Sequence, residues 1–430
     1  MTRRLALPPY YLVQRMHAIA PSNAEDISIQ PRASGTESVQ SGPIASRSRI
    51  EDIDVIRGAA LFGVLIMNLV ECFRVPYTFR FPVAAEPGGF EGVVNAILSV
   101  VLAGKAMTLF SILFGVGMAI FLERASARGP GAMALLVRRL LILLAIGTAH
   151  MLLLWQGDIL FSYAVSGLLS LLLIRRRQST LLIVAVALLA FRPLLFWVWP
   201  TVLPSFGPAI VRHYQDAIAT YGTGTYLQIV AFRASEEWSI GIPVAFVRAL
   251  PAEVSNILIG ICLWRSGVLH HVERHRRTLI WVARLGLILG GGYAVYHGVL
   301  RALGHVPAPG QLLFAVESIL LRMFALGYGA LILLLLHRPR GRAVLLRLAP
   351  LGQMAFTNYL TQTIVFTTLF YGYGLGLLGK VGITMALLLG VSFYFVQGVA
   401  STIWLRRFRF GPFEWAWRSL TYGKLQPMRR

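Results

Sequence analysis

The segment 147-GTAHMLLLWQGDILFSYA-164 is apolar almost throughout, yet it carries His150 and Asp158 on either side of a Gln-Gly pair. Histidine titrates close to neutral pH, so His150 could act as a general base, and a carboxylate on its second ring nitrogen would fix the tautomer. Asp158 is the candidate carboxylate because a tight helical hairpin would bring it back beside His150. Two structural roles stay open: Asp158 could cap the second helix, and His150 could hydrogen-bond a neighbouring helix.

The composition of the chain indicates a membrane protein. Of its 430 residues, 56% are hydrophobic and only 13% are charged, whereas soluble domains carry about 25% charged residues. A bilayer-spanning helix needs roughly 20 mostly apolar residues and satisfies its own backbone hydrogen bonds in lipid. We therefore predict an all-α, polytopic integral membrane protein of about ten transmembrane helices, with spans near 54–73, 97–121, 139–156, 158–174, 179–200, 243–264, 279–300, 312–336, 351–370 and 381–404.

The distribution of charge predicts the orientation of these spans. The net charge of +22 is concentrated in alternate connections, which contain the arginine clusters at 124–139, 175–177, 265–277 and 338–347. By the positive-inside rule these connections and both termini are cytosolic, so the number of spans is even. This accounts for the basic excess without a nucleic-acid partner. Cys72 and Cys262 have neither a disulfide pattern nor a metal-ligand spacing, and we expect no bound metal.

The chain divides into three regions by composition. Residues 1–46 are rich in Pro, Ser, Gln and Gly and predict a disordered cytosolic tail. Residues 47–405 form the transmembrane domain, in which the outer loop 201–242 is long enough for a short amphipathic helix or two. Residues 406–430 form a basic, aromatic tail that we expect on the inner leaflet.

Several ionisable residues fall in the outer half of the predicted spans or near their midplane, at the depth of His150. Because such residues are costly in lipid, they should face one another or a watery cavity, and we treat them as candidate substrate-binding residues. The alternative is that they form structural ion pairs, Glu253 with Arg248 and Glu317 with Arg322. The candidates are Lys105, Arg248, Glu253, Glu317 and Arg322.

The first span offers polar groups at two depths on one helix face. Asp54 and Arg57 are three residues apart and can pair at the cytosolic surface. Asn68 follows Arg57 by about three helical turns and therefore lies deep in the membrane on nearly the same face. In the alternative interpretation Asp54 marks the helix start and Arg57 extends to lipid phosphates.

Two later segments predict packing rather than chemistry. The polar residues of 352-GQMAFTNYLTQTI-364 recur at a spacing of four, which favours hydrogen bonds between helices. The glycine-rich stretch 371-YGYGLGLLG-379 lacks the order of a nucleotide loop and predicts a close-packed turn.

The motifs together resemble a known family. RGAALFGVLIMN, LFSILFGVGMA, RRLLILLAIGTAHMLLLWQGDILFSYAVSG, LIGICLWRSGVL, GQMAFTNYLTQ and GPFEWAWRSLTYGK follow one another as in the bacterial YeiB-like membrane proteins, domain of unknown function 418. The resemblance covers nearly everything from residue 50 to residue 424 and implies a multi-pass protein of the bacterial inner membrane.

This family is distantly similar to transmembrane acyltransferases of the heparan-glucosaminide N-acetyltransferase type, which move an acyl group from cytosolic acyl-CoA across the membrane. The shared pattern is Asp-x-x-Arg-Gly with a downstream asparagine, here Asp54, Arg57, Gly58 and Asn68. A catalytic histidine follows that asparagine in the acetyltransferase, but 69-LVECFRVPYTFR-80 contains none. His150 would then have to supply the base.

The resemblance implies a membrane acyltransferase acting on an extracytoplasmic or lipid-linked hydroxyl or amine. His150 and Asp158 would form the base, and Asn68, Lys105 or an arginine would stabilise the oxyanion. Arg57 with the inner basic loops would hold the CoA phosphates. Acyl-CoA would be a co-substrate rather than a permanent cofactor, and a lipid-linked group or glycan would accept the acyl group. A transporter or flippase with an outward-facing polar cavity, or a non-catalytic scaffold, are the alternatives.

Overall fold

The computed structural model describes residues 51–75, 88–202, 208–303 and 311–430. Within these ranges every regular element is a helix, apart from one isolated antiparallel bridge between Phe408 and Arg429. This confirms the all-α prediction for the described part of the chain. The predicted tail at 1–46 lies outside the described residues.

Eighteen α-helices occur in the described ranges. The first nine are α1 Glu51–Asn68, α2 Gly89–Val101, α3 Lys105–Ser126, α4 Ala132–Ala149, α5 Leu160–Leu171, α6 Gln178–Val202, α7 Pro208–Thr223, α8 Tyr226–Glu236 and α9 Ile242–Val244. The others are α10 Leu250–Arg265, α11 Arg276–Leu285, α12 Gly291–Ala302, α13 Gln311–Leu336, α14 Pro339–Leu345, α15 Ala349–Gln353, α16 Ala355–Phe370, α17 Ile383–Arg407 and α18 Pro412–Tyr422. Wider π-helical turns extend some of them, at Leu69–Phe73, His150–Leu154, Glu237–Gly241, Ala245–Ala249 and Gly286–Gly290.

Helices occupy all ten segments that the sequence predicts as spans. Among the described residues, six helical segments are long and apolar enough to cross a bilayer: Glu51–Phe73, Gly89–Ser126, Ala132–Leu154, Arg276–Leu300, Ala315–Leu336 and Ile383–Arg407. Two shorter apolar helices, Leu160–Leu171 and Gln178–Phe191, accompany them. Length and composition are thus those of a multi-pass membrane protein, whereas ten spans and cytosolic termini stay predictions.

The predicted span at 97–121 is interrupted rather than continuous. Helix α2 ends at Val101 and α3 begins at Lys105, with Gly104 between them in the left-handed conformation at φ 72°. Glycine adopts this conformation without steric cost. Lys105 then lies at the start of α3, and its Nζ donates a hydrogen bond to the carbonyl oxygen of Ser99 at 2.6 Å.

The centre of the bundle is a close crossing of α3 and α10. A Cβ added to Gly115 would collide with the carbonyl oxygen of Ile257, and one added to Gly260 would collide with that of Ile112. Small residues at such crossings allow two backbones to approach closely, which increases van der Waals contact. The surrounding core includes the fully buried Ile257 and Ile261.

Helices α16 and α17 are joined by side-chain amides, as the spacing-four pattern predicts. Gln362 donates to Gln397 at 2.8 Å, and Gln397 in turn donates to the carbonyl oxygen of Asn358 at 3.0 Å. Asn358 also donates to the hydroxyl of Ser401 at 3.1 Å. These groups are buried, so the polar residues of this segment serve helix packing.

The C-terminal helix α18 docks against the bundle through one carboxylate and one indole. Glu414 accepts hydrogen bonds from the backbone amides of Phe356 and Thr357 at 2.7 and 3.0 Å, at the N-terminus of α16. The indole of Trp417 donates to the carbonyl oxygen of Arg139, whose guanidinium lies 3.5 Å from the same ring. A charge from α18 therefore satisfies amides that α16 leaves free.

The predicted outer loop contains two helices, α7 and α8, which we call the α7–α8 cap. A capping box between Thr225 and Gln228 starts α8. The cap packs on the glycine-rich turn 371–379, where Gly372 donates its amide to the carbonyl oxygen of Tyr221 at 2.8 Å. A side chain at Gly372 would collide with the backbone of Thr223. Both the helices of the loop and the close-packed turn are confirmed.

Candidate functional site

His150 and Asp158 are brought together by a hairpin between α4 and α5. Helix α4 runs into the π-helical turn His150–Leu154, in which the amide of Trp155 donates to the carbonyl oxygen of His150 at 2.9 Å. Asp158 then precedes α5, and its Oδ2 accepts the amide of Phe161 at 2.6 Å. Its Oδ1 lies 2.8 Å from Nδ1 of His150. The carboxylate thus caps α5 and contacts the imidazole, so the two roles considered for Asp158 coexist.

Both members of this pair are removed from solvent. The exposed fraction of the side chain is 1% for His150 and 0% for Asp158. The Nδ1–Oδ1 separation is that of a charge-assisted hydrogen bond, although the ring is turned away from ideal alignment with the oxygen. Nε2 of His150 has no hydrogen-bond partner within the described ranges. A buried imidazole with one nitrogen against a carboxylate and the other unengaged has the layout of a general base.

Two aromatic residues hold the hairpin in place. The ring of Tyr359, on α16, lies 5.4 Å from the ring of His150, and its hydroxyl accepts the amide of Ile159 at 3.2 Å. Trp155 stacks on Phe73 at 4.2 Å and covers Gly157, where an added Cβ would collide with the indole. The sequence interpretation missed Tyr359, whose one signal was its place beside Asn358 in the polar segment of α16.

Asn68 lies next to the same hairpin. It is buried at the end of α1 and lines a cavity of about 20 Å³. The lining also includes Cys72, Met107 and Gly157, the residue that precedes Asp158. Such a volume holds about one water molecule. The structure therefore brings Asn68 and the turn before Asp158 to one small cavity.

Asp54 and Arg57 pair as their spacing predicts. Nη1 of Arg57 lies 2.8 Å from Oδ1 of Asp54 and 3.5 Å from the carbonyl oxygen of Gly352. The side chain of Asp54 is 6% exposed and that of Arg57 is 23% exposed. At Gly352 an added Cβ would collide with the backbone of Asp54. The pair thus lies where α1 packs closely on α15, and the guanidinium of Arg57 is partly exposed to solvent.

Glu253 and Arg322 take part in a polar seam between helices. Ser162 and Ser166, on α5, donate to the two oxygens of Glu253 at 3.0 and 2.9 Å. Asn256, one turn further along α10, accepts from Nε of Arg322 at 3.2 Å. All five residues are buried. Glu253 therefore accepts hydrogen bonds from two hydroxyls, and Arg322 donates one to a side-chain amide oxygen.

Two of the other candidate binding residues, Lys105 and Glu317, have different contacts. Besides its bond to Ser99, the ammonium of Lys105 lies 5.6 Å from the ring of Phe324. Glu317 accepts a hydrogen bond from the hydroxyl of Tyr293. Arg248 belongs to the π-helical turn Ala245–Ala249, and its side chain lies outside the described part of the structure. The candidate binding residues with described side chains thus contact different helices.

The α7–α8 cap covers the carbonyl end of the His150 turn. Arg233 donates through Nη1 to the carbonyl oxygen of Leu152 at 3.2 Å, and the hydroxyl of Tyr226 donates to that of Leu153 at 3.0 Å. These are carbonyls that the end of a helix leaves without a partner. Arg233 is completely buried. It belongs to the segment 201–242, which the sequence predicts as an outer loop.

Comparison with known proteins supports the resemblance. The family model described as a protein of unknown function, DUF418, matches residues 263–424. YxaH of Bacillus subtilis (strain 168) is 37% identical over 410 residues, which cover 90% of this chain and 97% of the relative. YeiB of Escherichia coli (strain K12) is 28% identical over 416 residues, with 87% and 97% covered. No solved structure matches the chain. The chain belongs to the DUF418 family of YeiB-like proteins.

Proposed function

We propose that the protein is a membrane acyltransferase that moves an acyl group from cytosolic acyl-CoA to a hydroxyl or amine on an extracytoplasmic or lipid-linked acceptor. The observation that carries this proposal is the buried contact between Nδ1 of His150 and Oδ1 of Asp158 at 2.8 Å. The second ring nitrogen of His150 has no hydrogen-bond partner in the described part of the chain. A carboxylate-oriented imidazole is the arrangement that activates a hydroxyl for acyl transfer.

The reaction follows from this arrangement. Nε2 of His150 takes the proton from the acceptor hydroxyl or amine, whose oxygen or nitrogen attacks the thioester carbonyl carbon of acyl-CoA. The carbon–sulfur bond then breaks, and the CoA thiolate leaves with the proton that His150 returns. Asp158 stabilises the imidazolium that forms between these steps. The oxidation state of the acyl group does not change, so the transfer needs no oxidant or reductant.

Asn68 is proposed to stabilise the negative charge that develops on the thioester oxygen. Its amide is buried and lines a cavity that Gly157 also lines, next to Asp158 in the chain. A pre-oriented donor in a site of low polarity strongly stabilises such an oxyanion. The amide supplies this donor without adding a second titratable group.

The donor side of the site is proposed to lie at Arg57. Its guanidinium is the partly exposed member of the pair with Asp54. Arginine binds phosphate oxygens through charge-assisted hydrogen bonds. In this role Asp54 fixes the direction of the guanidinium, and the CoA phosphates bind its exposed side.

Substrate entry requires a change of conformation. The cavity beside Asn68 has about 20 Å³ of space, which accommodates a water molecule and excludes an acyl chain. Its walls come from α1, from the start of α3 and from the turn before α5. The proposal therefore includes a separation of these elements when the acyl group enters.

The proposal is tested with inverted membrane vesicles supplied with acyl-CoA that is radiolabelled in the acyl group. Protein-dependent incorporation of the label into a lipid or glycan supports acyl transfer. Flux of a solute without covalent labelling would instead support the transporter or flippase. If neither labelling nor flux is observed, the result supports the non-catalytic scaffold.

A further inference from the structure

Arg233 is a completely buried cation in the α7–α8 cap. Its exposed fraction is 0%, which makes it one of the largest fully enclosed side chains among the described residues. Burying a guanidinium is unfavourable unless its N–H groups have partners. Any N–H group of Arg233 that lacks a partner is therefore a candidate ligand-binding group.

The contacts of Arg233 occupy one part of the guanidinium and leave an edge open. Nη1 donates to the carbonyl oxygen of Leu152 at 3.2 Å. The rings of Tyr221 and Tyr371 lie 5.9 and 6.0 Å from its central carbon. Nε and Nη2 are buried without a hydrogen-bond partner in the described part of the chain. Nε and Nη2 form the edge that binds a carboxylate through two parallel hydrogen bonds.

The neighbouring polar groups direct their hydrogens elsewhere. The hydroxyl of Tyr221 donates to Glu236 at 2.7 Å, and that of Tyr371 donates to Gln156 at 2.9 Å. Burial, together with the carboxylate of Glu236, raises the pKa of Tyr221 well above its usual value. Burial also raises the pKa of Tyr371. Both phenols are therefore neutral donors at physiological pH and add no negative charge beside Arg233.

The charge balance of this cluster favours an anion with a single charge. Glu236 is buried and lies 3.8 Å through Oε1 from Nε2 of His213. Two buried carboxylates, Glu236 and Glu237, thus already lie three and four residues after Arg233. A dianion would meet stronger repulsion from Glu236 than a monoanion of the same size. A carboxylate matches both the planar edge and the single charge.

We propose that the Nε–Nη2 edge of Arg233 binds the carboxylate group of a small water-soluble ligand beneath the α7–α8 cap. The site adjoins the His150 turn because Arg233 also holds the carbonyl of Leu152, two residues after His150. Binding requires the cap to open and reclose, since the guanidinium is completely buried. The inference does not depend on acyl transfer, because a transporter would recognise the same group.

The test measures thermal unfolding of the purified, lipid-free protein in detergent, with acetate as the probe. Sodium acetate is titrated against sodium chloride at equal ionic strength and constant pH, which separates specific binding from screening. A ligand that binds only the folded state raises the melting temperature in a concentration-dependent way. We expect an acetate-specific rise in the wild type that Arg233→Gln loses.

The matched control is Arg212→Gln, because Arg212 is an exposed arginine of the same cap. Arg212→Gln should keep the acetate-specific rise of the wild type in full. Arg233→Lys keeps the charge but lacks the two-donor edge, so it should lose most of the rise, and it decides the result if Arg233→Gln does not fold. The proposal is overturned if the wild type shows no acetate-specific rise, or if both Arg233 variants keep it.

Discussion

Asp158 contacts Nδ1 of His150 through Oδ1 at 2.8 Å and accepts the backbone amide of Phe161 through Oδ2 at 2.6 Å. One carboxylate thus caps α5 and positions the imidazole. This arrangement explains how two titratable residues persist in an apolar segment. A buried charge is tolerable when a helix N-terminus and a partner side chain both stabilise it.

The two roles of Asp158 can be separated by substitution. Asp158→Asn keeps an oxygen for the amide of Phe161 but removes the charge beside His150, whereas Asp158→Ala removes both. We expect Asp158→Ala to be less stable than Asp158→Asn by about 0.5–2 kcal/mol, the usual cost of a lost cap. Thermal unfolding in detergent measures the difference. Equal stability of the two variants would contradict the capping role.

The crossing of α3 and α10 predicts a difference between two glycines of one helix. Gly115→Ala introduces a methyl group against the backbone at Ile257, while Gly117 has open space around its Cβ position. We expect Gly115→Ala to destabilise the protein by roughly 1–3 kcal/mol, the typical cost of overpacking. Gly117→Ala, the matched control, should be close to the wild type in chemical unfolding. Equal effects of the two substitutions would show that the crossing is not tightly packed.

Glu414 predicts that the C-terminal helix stabilises α16. Glu414→Ala removes an acceptor from the amides of Phe356 and Thr357 and from the hydroxyl of Thr357, which lies 2.5 Å away. We expect a loss of about 1–2 kcal/mol, as for other helix caps, together with faster proteolysis of residues 412–430. Glu273→Ala, at an exposed glutamate, is the control. An unchanged melting temperature in Glu414→Ala would contradict the cap.

The amide bond between α16 and α17 predicts energetic coupling between two glutamines. Nε2 of Gln362 donates to Oε1 of Gln397 at 2.8 Å. In a double-mutant cycle with alanine at both positions, we expect a coupling free energy of about 0.6 kcal/mol, and at most about 1.7 kcal/mol. Reversible unfolding in mixed micelles measures it. Strictly additive effects would mean that the hydrogen bond does not contribute.

The charge distribution predicts which connections face the cytosol. Arg340 and Arg212 are both exposed, and the native cysteines Cys72 and Cys262 are buried. In right-side-out vesicles, a membrane-impermeant maleimide should label Arg212→Cys at once and Arg340→Cys only after permeabilisation. The opposite pattern would invert the predicted orientation.

The sequence predicted the helices well because long apolar runs determine them. It did not predict the interruption at Gly104, since hydropathy contains no information on a single left-handed residue within an apolar run. The contact of His150 with Asp158 was accessible because the two residues are close in the chain. Tyr359, 200 positions from Ile159, reaches the hairpin through tertiary packing, which periodicity does not encode.

The buried charges illustrate the same limit. Spacing suggested a pair between Glu253 and Arg248, whose side chain lies outside the described part of the structure. Spacing did not predict that Ser162 and Ser166 of α5 donate to the two oxygens of Glu253. Arg233 lies in the predicted outer loop 201–242, where an arginine is ordinarily solvated. Its complete burial follows from the packing of the α7–α8 cap on the carbonyl end of the His150 turn. This is a tertiary contact that the local sequence pattern does not encode.

The measurement that tests the proposed function most directly is the rate of label transfer from acyl-CoA in inverted vesicles containing the wild type, His150→Gln or His271→Gln. His271 is exposed and serves as the control, and the amount of folded protein is equalised by size-exclusion chromatography. A general base contributes about 10²- to 10⁴-fold to the rate. The account predicts a loss of at least about 100-fold in His150→Gln and none in His271→Gln. Transfer by His150→Gln at the wild-type rate would contradict it.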